Sequence, residues 1–300
     1  MATMNGIDIS NHQGGMDLAK VLSSTKTDFV ILKATEGVNF VDRYCNGFFQ
    51  TAQKAGKCLG FYHFARPELN TAKAEADYFY SNTKNYFGKA IPVLDWESSG
   101  KWNVAWAKEW LDIIFKKTGV RPMIYMSESV VNTYNWSSVA NANYGLWVAK
   151  YRDYGADYNY DMQTAGAAPS VKWWKNYAMW QWTSSGRLTG YSGNLDCNIF
   201  YGDKATWQKF VKNGSSDSGK SSSSVYNYVS LTAKLPVLRK GAKGNAVKLV
   251  QLTVGAKTDS DFGQKTDVAV KAWQKQHGLT DDGIVASKTW AMILKYYGTV

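Results

Sequence analysis

The fold class this sequence predicts is α/β: an irregular (β/α) barrel with helices depleted in the second half, plus a small C-terminal three-helix module. Three observations predict it. Short apolar runs alternate with amphipathic helical patterns through residues 5–126, and three further strand-like runs between 146 and 200 have little helix between them. A Ser/Gly-rich stretch at 213–224 then sets off a compact helical segment. A doubly wound open sheet is the architectural alternative. No G-x-G-x-x-G follows the first strand and no phosphate loop appears, which counts against nucleotide binding.

The elements follow in order. Asn5 to Ser10 alternates apolar and polar residues and reads as a first strand. Asp28 to Thr35 is almost continuously apolar, as a strand buried on both faces would be. Asp42 to Gly56 is a helical pattern, with Phe48, Phe49 and Ala52 on one face and Gly56 as its stop. Cys58 to Ala65 is a third strand and Thr71 to Tyr86 a second helix. Residues 90–97 form a fourth strand. Asn103 to Thr118 carries Trp106, Trp110, Ile113 and Ile114 at helical spacing and ends at Gly119, and Pro122 to Met126 is a fifth strand. Leu146 to Ala149, Tyr177 to Thr183 and Leu195 to Phe200 read as strands joined by loops rich in Gly, Asn, Tyr and Ser.

Asn213 to Ser224 has the composition of a flexible tether, spanning roughly 20 Å end to end. Beyond it, Asn245–Val254, Lys265–His277 and Ser287–Tyr296 read as amphipathic helices. An internal echo is visible here. Asp259-Ser260-Asp261-Phe262 precedes Lys265-Thr266 as Asp281-Asp282-Gly283-Ile284 precedes Lys288-Thr289.

Composition narrows the class of protein. The chain is 45% hydrophobic and 20% charged, hence globular rather than disordered. Its 13 Trp and 19 Tyr exceed ordinary usage; flat rings with a polar edge suit sugar faces, although core packing also consumes them. Residues 1–212 hold 23 Lys+Arg against 18 Asp+Glu (+5), and residues 225–300 hold 11 against 5 (+6). The shorter segment is the more basic per residue, which favours an anionic polymer: nucleic acid, a membrane surface or an anionic cell wall. Cys45, Cys58 and Cys197 are too sparse for a disulfide framework and show no C-x-x-C spacing, so no zinc site is expected. The opening Met-Ala-Thr-Met-Asn-Gly lacks a charged and then an apolar region, and no apolar run reaches the ~18 residues of a membrane span. The expectation is synthesis in the cytoplasm without a signal peptide.

The chemistry is concentrated in Ala90-Ile91-Pro92-Val93-Leu94-Asp95-Trp96-Glu97, an apolar run closed by two carboxylates one residue apart. Alternation along a strand puts Asp95 and Glu97 on one side and Leu94 and Trp96 on the other. Two acids that repel each other beside apolar surface can take different pKa values, one raised and one low, as acid–base work on a glycosidic bond requires. A D-x-E in which each acid pairs with a nearby Lys or Arg looks the same in isolation.

The wider sequence resembles glycoside hydrolase family 25, the Chalaropsis-type lysozymes, over residues 4–212. The resemblance rests on four stretches in order: Gly6-Ile7-Asp8-Ile9-Ser10 with Gln13-Gly14; Lys33-Ala34-Thr35-Glu36-Gly37 with Phe40 and Asp42; Val93-Leu94-Asp95-Trp96-Glu97; and Trp180 to Gly186 through Gly193-Asn194-Leu195-Asp196-Cys197-Asn198. Residues 235–294 resemble a three-helix peptidoglycan-binding module, through Leu238 to Gly241, Val247 to Leu252, Ala272-Trp273-Gln274 and Asp282-Gly283; Trp273 replaces the usual Phe. The implied organisation is a catalytic barrel over 1–212, a linker over 213–230 and a wall-binding domain over 231–300. The implied reaction is hydrolysis of the β-1,4 bond between N-acetylmuramic acid and N-acetylglucosamine. Glu97 is the implied general acid/base, with Asp8, Asp95 and Asp196 around it and Asp95 kept ionised.

Weaker candidates for substrate binding are Tyr62, Tyr125, Gln181 and Glu36. Core packing serves as well for the tyrosines, and an ion pair with Lys33 as well for Glu36. His12, His63 and His277 lack partners at metal spacing and are expected to be structural; no metal or cofactor is expected. The expected partners are peptidoglycan and anionic wall polymer, with neither nucleic acid binding nor membrane insertion. The expected context is an endolysin released through a holin pore, or an autolysin freed on lysis. A catalytically silent wall-binding protein, and a zinc amidase or Cys/His peptidase, are the competing functions.

Overall fold

The computed structural model describes residues 2–162, 165–212 and 235–296. The chain divides into two compact units, Met1–Asp217 and Ser218–Val300. The tether expected over Asn213–Ser224 lies outside the described residues.

In the first unit the elements are β1 (Met4–Ile9), α1 (Leu18–Ser24), β2 (Phe29–Glu36), β3 (Phe40–Val41), α2 (Cys45–Lys54), β4 (Cys58–Phe64), α3 (Ala72–Thr83), β5 (Ile91–Asp95), α4 (Val104–Thr118) and β6 (Met123–Ser127). After these come α5 (Glu128–Thr133), α6 (Ser137–Asn141), β7 (Gly145–Ala149), β8 (Asp157–Tyr158), β9 (Met179–Arg187), β10 (Leu195–Phe200) and α7 (Lys204–Lys212). The strands run β1-β10-β9-β7-β6-β5-β4-β2 and close where β2 pairs with β1. Neighbours are parallel except at β10, which is antiparallel to both β9 and β1. Among the described residues no helix separates β7, β9 and β10, as the loop-rich sequence there leads one to expect. The open-sheet alternative is excluded by the closure.

Sequence patterning overlooked α1, α5, α6 and α7, each at most nine residues long; the first three have too few turns for a helical period to register, whereas α7 carries Trp207, Phe210 and Val211 at helical spacing. Of these, α7 matters most for the architecture. Its Trp207 packs on Phe29 (ring centroids 4.7 Å) and Phe200 (5.0 Å), and its indole N–H donates to the Leu59 carbonyl at 3.2 Å. It closes the end of the barrel at which the parallel strands begin.

Alternation along the strands explains both layers of the core. Outward residues such as Ile7, Val30, Leu32, Leu94, Trp96, Val148 and Trp180 pack under the helices, while Phe29, Ile31, Ile91, Val93, Met123 and Met179 fill the barrel. The inward series changes character along each strand: Met4, Gly6, Asp8; Phe29, Ile31, Lys33; Ile91, Val93, Asp95; Met179 then Gln181. β10 runs the other way, so its series reads Asp196, Asn198, Phe200. Apolar side chains therefore occupy one end and polar ones the other. Gly6 is required by this stacking, since a Cβ there would lie 2.3 Å from the Phe29 ring.

The second unit packs α8 (Asn245–Val254), α9 (Gln264–Gln276) and α10 (Ser287–Tyr296) around Val247, Val250, Phe262, Val270, Trp273, Val285, Trp290 and Ile293. The echo in the sequence is a structural repeat. Gln251 donates to Asp259 Oδ1 (2.8 Å), the Asp261 carbonyl (2.9 Å) and Thr266 Oγ1 (3.0 Å). Gln274 donates to Asp282 Oδ1 (3.0 Å), the Ile284 carbonyl (3.0 Å) and Thr289 Oγ1 (3.1 Å), every partner at the same sequence offset. Among the described residues no helix is long and apolar enough to cross a membrane.

Candidate active site

At the polar end of the barrel the inward side chains surround a cavity of about 270 Å3. Asp8, Tyr62, Asp95, Glu97, Tyr125, Gln181 and Asp196 line it, with Lys33, His12, Trp147 and Tyr151. The parallel strands deliver their C-terminal ends here. β10, being antiparallel, delivers its N-terminal end, which is why Asp196 stands opposite Asp8 in register.

The D-x-E alternation holds: Leu94 and Trp96 are fully buried on the outer side, and Asp95 and Glu97 both face the cavity. Strand pairing stops at Asp95, although the Trp96 N–H still reaches the Tyr125 carbonyl at 2.9 Å. Glu97 therefore sits at the rim, exposed to solvent yet flanked by protein, whereas Asp95 is buried.

Two of these acids live in contrasting hydrogen-bonding surroundings. Asp8 Oδ1 accepts from Gln181 Nε2 (2.9 Å) and Asn198 Nδ2 (2.6 Å). Both amides are oriented from behind. Trp147 Nε1, which can only donate, reaches Asn198 Oδ1 at 2.9 Å, and the Tyr125 hydroxyl donates to Gln181 Oε1 at 2.7 Å, joined there by the Tyr151 hydroxyl. Asp95 Oδ1, by contrast, is buried with no hydrogen-bond partner in the protein.

Burial raises all four carboxyls. Asp8 rises well above the ordinary range through burial and the neighbouring Asp196, opposed by its two amide donors. Asp95 also rises well above it, through burial with Glu97 and Asp8 beside it. Glu97 is raised by burial, while Lys33, Lys101 and Arg66 pull it back. Asp196 is pushed up to about 7 by burial, with Glu97 adding to the effect. Where the sequence suggested a raised Glu97 beside a low Asp95, burial raises Asp95 as well, and Lys33 is the one lysine lining the cavity to set against its four acids.

Glu36 alone among the sequence candidates stays outside the cavity lining. It accepts from Lys33 Nζ at 2.6 Å and from Arg66 Nε at 2.9 Å. Burial raises its carboxyl, but these two cations outweigh that and hold it below its ordinary value. Its position is that of the ion-pair alternative, holding Lys33 at the cavity edge. His12, expected to be structural, is among the residues lining the cavity. His63 is fully buried between Thr35 Oγ1 and Glu75 Oε2, both at 2.8 Å, and burial lowers its pKa.

The reading by residue type missed Asn198, Trp147 and Tyr151. Alternation could have found them: Asn198 shares the face of Asp196, and residues 147, 149 and 151 share one face of the chain through β7. The three cysteines are buried, and burial pushes the Cys45 thiol up to about 12 and raises Cys58 and Cys197 as well. None is a ready thiolate nucleophile. Among the described residues no three His, Cys, Asp or Glu side chains are grouped as metal ligands.

Comparison with known proteins agrees with this geometry. Residues 7–191 match glycosyl hydrolases family 25, and residues 247–293 match the peptidoglycan binding domain family. Lysozyme M1 of Streptomyces globisporus is 30% identical over 218 residues, covering 67% of this chain and 69% of that protein. The N,O-diacetylmuramidase of Chalaropsis sp. is 35% identical over 158 residues, covering 47% of this chain and 72% of that protein. The crystal structure of the bacterial lysozyme from Streptomyces coelicolor superposes with a TM-score of 0.59 at 28% identity, covering 72% of this chain and all of that one. A closed barrel, an acid-lined mouth and a family match over more than half the chain lead to one conclusion: this chain belongs to glycosyl hydrolases family 25 and is a peptidoglycan-hydrolysing glycosidase of the muramidase type.

Proposed function

We propose that the enzyme cleaves the β-1,4 bond between N-acetylmuramic acid and N-acetylglucosamine, with Glu97 delivering the proton to the leaving oxygen. The observation that carries this reading is the convergence of Asp8, Asp95, Glu97 and Asp196 on one cavity. Glu97 suits the donor role because it is the acid at the rim, raised by burial and open to the incoming glycan. Asp95 presents a buried oxygen with no partner, suited to accept the N–H of the substrate's 2-acetamido group, and that bond favours its ionised form. Asp8 is held by amides on both sides and stabilises positive charge developing at the anomeric carbon. Asp196, Tyr62, Tyr125 and Gln181 complete the pocket.

The i, i+2 placement of Asp95 and Glu97 leaves little room for an inverting water and supports retention, with the acetamido oxygen as nucleophile. An inverted product anomer in NMR overturns that part alone. Residues 1–212 form the catalytic domain, 213–230 the linker and 231–300 the wall-binding domain in this reading. A wall hydrolase joined to a wall-binding domain fits an endolysin whose access to the wall depends on a holin, and lysis of producing cells only when a holin is co-expressed tests it.

Mass spectrometry of digested peptidoglycan is the deciding experiment. Muramic acid at the new reducing end is expected; glucosamine there, or free stem peptides, overturns the assignment. Glu97→Gln should lower kcat by about 100-fold or more while wall binding persists. Full activity in that variant removes Glu97 from its role, and binding without any hydrolysis by the wild type leaves the silent wall-binder.

A further inference from the structure

Large apolar side chains left exposed on the first unit are confined to one end of the barrel. Among its described residues they are Val38, Val41, Leu69, Trp102, Tyr154 and Tyr158. Every one lies on a segment that follows a parallel barrel strand at the end carrying the acids: Val38 and Val41 after β2, Leu69 after β4, Trp102 after β5, Tyr154 and Tyr158 after β7. Chance scatter would put some of them on the helices. Concentrated exposure of this kind marks a binding surface.

Trp102 and Tyr154 stand at different places round the mouth: β5 and β7, the strands they follow, are separated by β6. Trp102 is 65% exposed, and Tyr154 is 80% exposed. Both are presented by ordered backbone. On the Trp102 side the Trp96 indole N–H donates to the Lys101 carbonyl at 2.9 Å, the Val104 N–H reaches the Trp102 carbonyl at 3.0 Å, and Ser98 Oγ donates to Glu68 Oε2 at 3.0 Å. Gly100 packs so closely on Pro67 that a Cβ there would lie 2.6 Å from the ring. On the other side Tyr154 meets Tyr151, a cavity residue, edge-on at 6.1 Å. At Tyr154 the rim is thus continuous with the catalytic cavity. That cavity, at about 270 Å3, falls below the roughly 300–1,000 Å3 of a cleft that encloses a drug-sized ligand. A polymer longer than the cavity would extend onto the surface around its mouth.

We propose that Trp102 and Tyr154 are stacking platforms for the glycan strand on either side of the cleaved bond, so that affinity for long strands is carried by the rim of the barrel. The chemistry recognised is the flat C–H face of a pyranose against an aromatic ring, with the chain running from the β4–β5 side of the mouth to the β7–β9 side. The proposal rests on the glycosidase reading above and deepens it by naming where the chain lies.

The test uses the full-length protein on soluble, uncrosslinked glycan strands of graded length, with release of reducing ends as the signal. For the wild type, KM should fall as strands lengthen. Trp102→Ala and Tyr154→Ala should each raise KM on the longest strands by about 10-fold, with kcat within about two-fold. On the shortest strand cleaved they should match the wild type, and Trp102→Phe and Tyr154→Phe should restore most of the affinity. Unchanged KM on long strands overturns the proposal, as does a loss equal at all lengths or one confined to kcat. A concentration-dependent dimer abolished by Trp102→Ala, with KM unmoved, would show that a second copy occupies the rim instead. If the wild type releases no reducing ends from any strand, the glycosidase reading falls with it; if the wild type cleaves and the variants match it, only the platforms fail.

Discussion

Asn198 and Asp196 sit two residues apart on β10, the first bonded to Asp8 and the second lining the cavity, and they shift the Asp8 carboxyl in opposite directions. The amide N–H of Asn198 favours the ionised form of Asp8, so removing it raises the Asp8 carboxyl further. Asn198→Ala should therefore move the acid limb of the kcat/KM profile to higher pH. It also leaves the Trp147 indole N–H unpaired, at a cost of about 1–3 kcal/mol in stability. An unmoved acid limb would separate Asp8 from the titration. Asp196 acts through its own proton. Its folded pKa, near 7 against an ordinary 3.8, means that the folded state binds more protons than the unfolded state between those values. Stability contributed by that proton is present below about 4 and is lost as pH rises through 7. Asp196→Asn, neutral throughout, should raise Tm relative to the wild type at pH 8 but not at pH 4. Equal Tm differences at both pH values would mean that Asp196 is not strained in its charged form.

At the level of elements, the barrel depends on a short helix that the sequence reading passed over, although Trp207, Phe210 and Val211 stand at helical spacing. α7 lays Trp207, fully buried, across Phe29 and Phe200 at the end opposite the acids. Trp207→Ala should cost about 3–5 kcal/mol, read as a shift in the denaturant midpoint, because it removes a fully buried ring packed on both Phe29 and Phe200. A loss below 1 kcal/mol would show that the floor of the barrel collapses around the gap. The antiparallel β10 is the second element with a consequence for the site. Had it run parallel, Asp196 at its N-terminal end would lie on the floor with Trp207; reversed, it meets Asp8.

At the scale of the whole molecule, the two units divide charge unevenly, with +6 over residues 225–300 against +5 over residues 1–212. Binding to anionic walls should weaken as salt rises from 0.05 to 0.5 M, where screening shortens from over 10 Å to a few Å, while turnover of soluble strands changes less. A pelleting assay measures the first and reducing-end release the second. Salt-independent pelleting would assign wall affinity to uncharged contacts in the peptidoglycan-binding domain.

Much of this architecture was legible in the chain before folding, because it is written at short range. A period of two separates inward from outward positions on every strand, and Ile91, Val93, Asp95 shows an interior turning polar within five residues. Long helices such as α4 announce themselves by spacing and caps: Asn103 accepts from the Trp106 N–H at 3.2 Å, and Gly119 ends the helix with φ at +72°. Pairing across the barrel carries no such local mark. That Asp8 would face Asp196 nearly two hundred residues away, that Gln181 and Asn198 would both turn their amides on it, and that Glu36 would be drawn aside by Arg66 follow from strand order and register. The protonation of the site was decided there too, since a carboxyl's pKa is set by how much water and which charges surround it, and those neighbours come together only when the barrel closes.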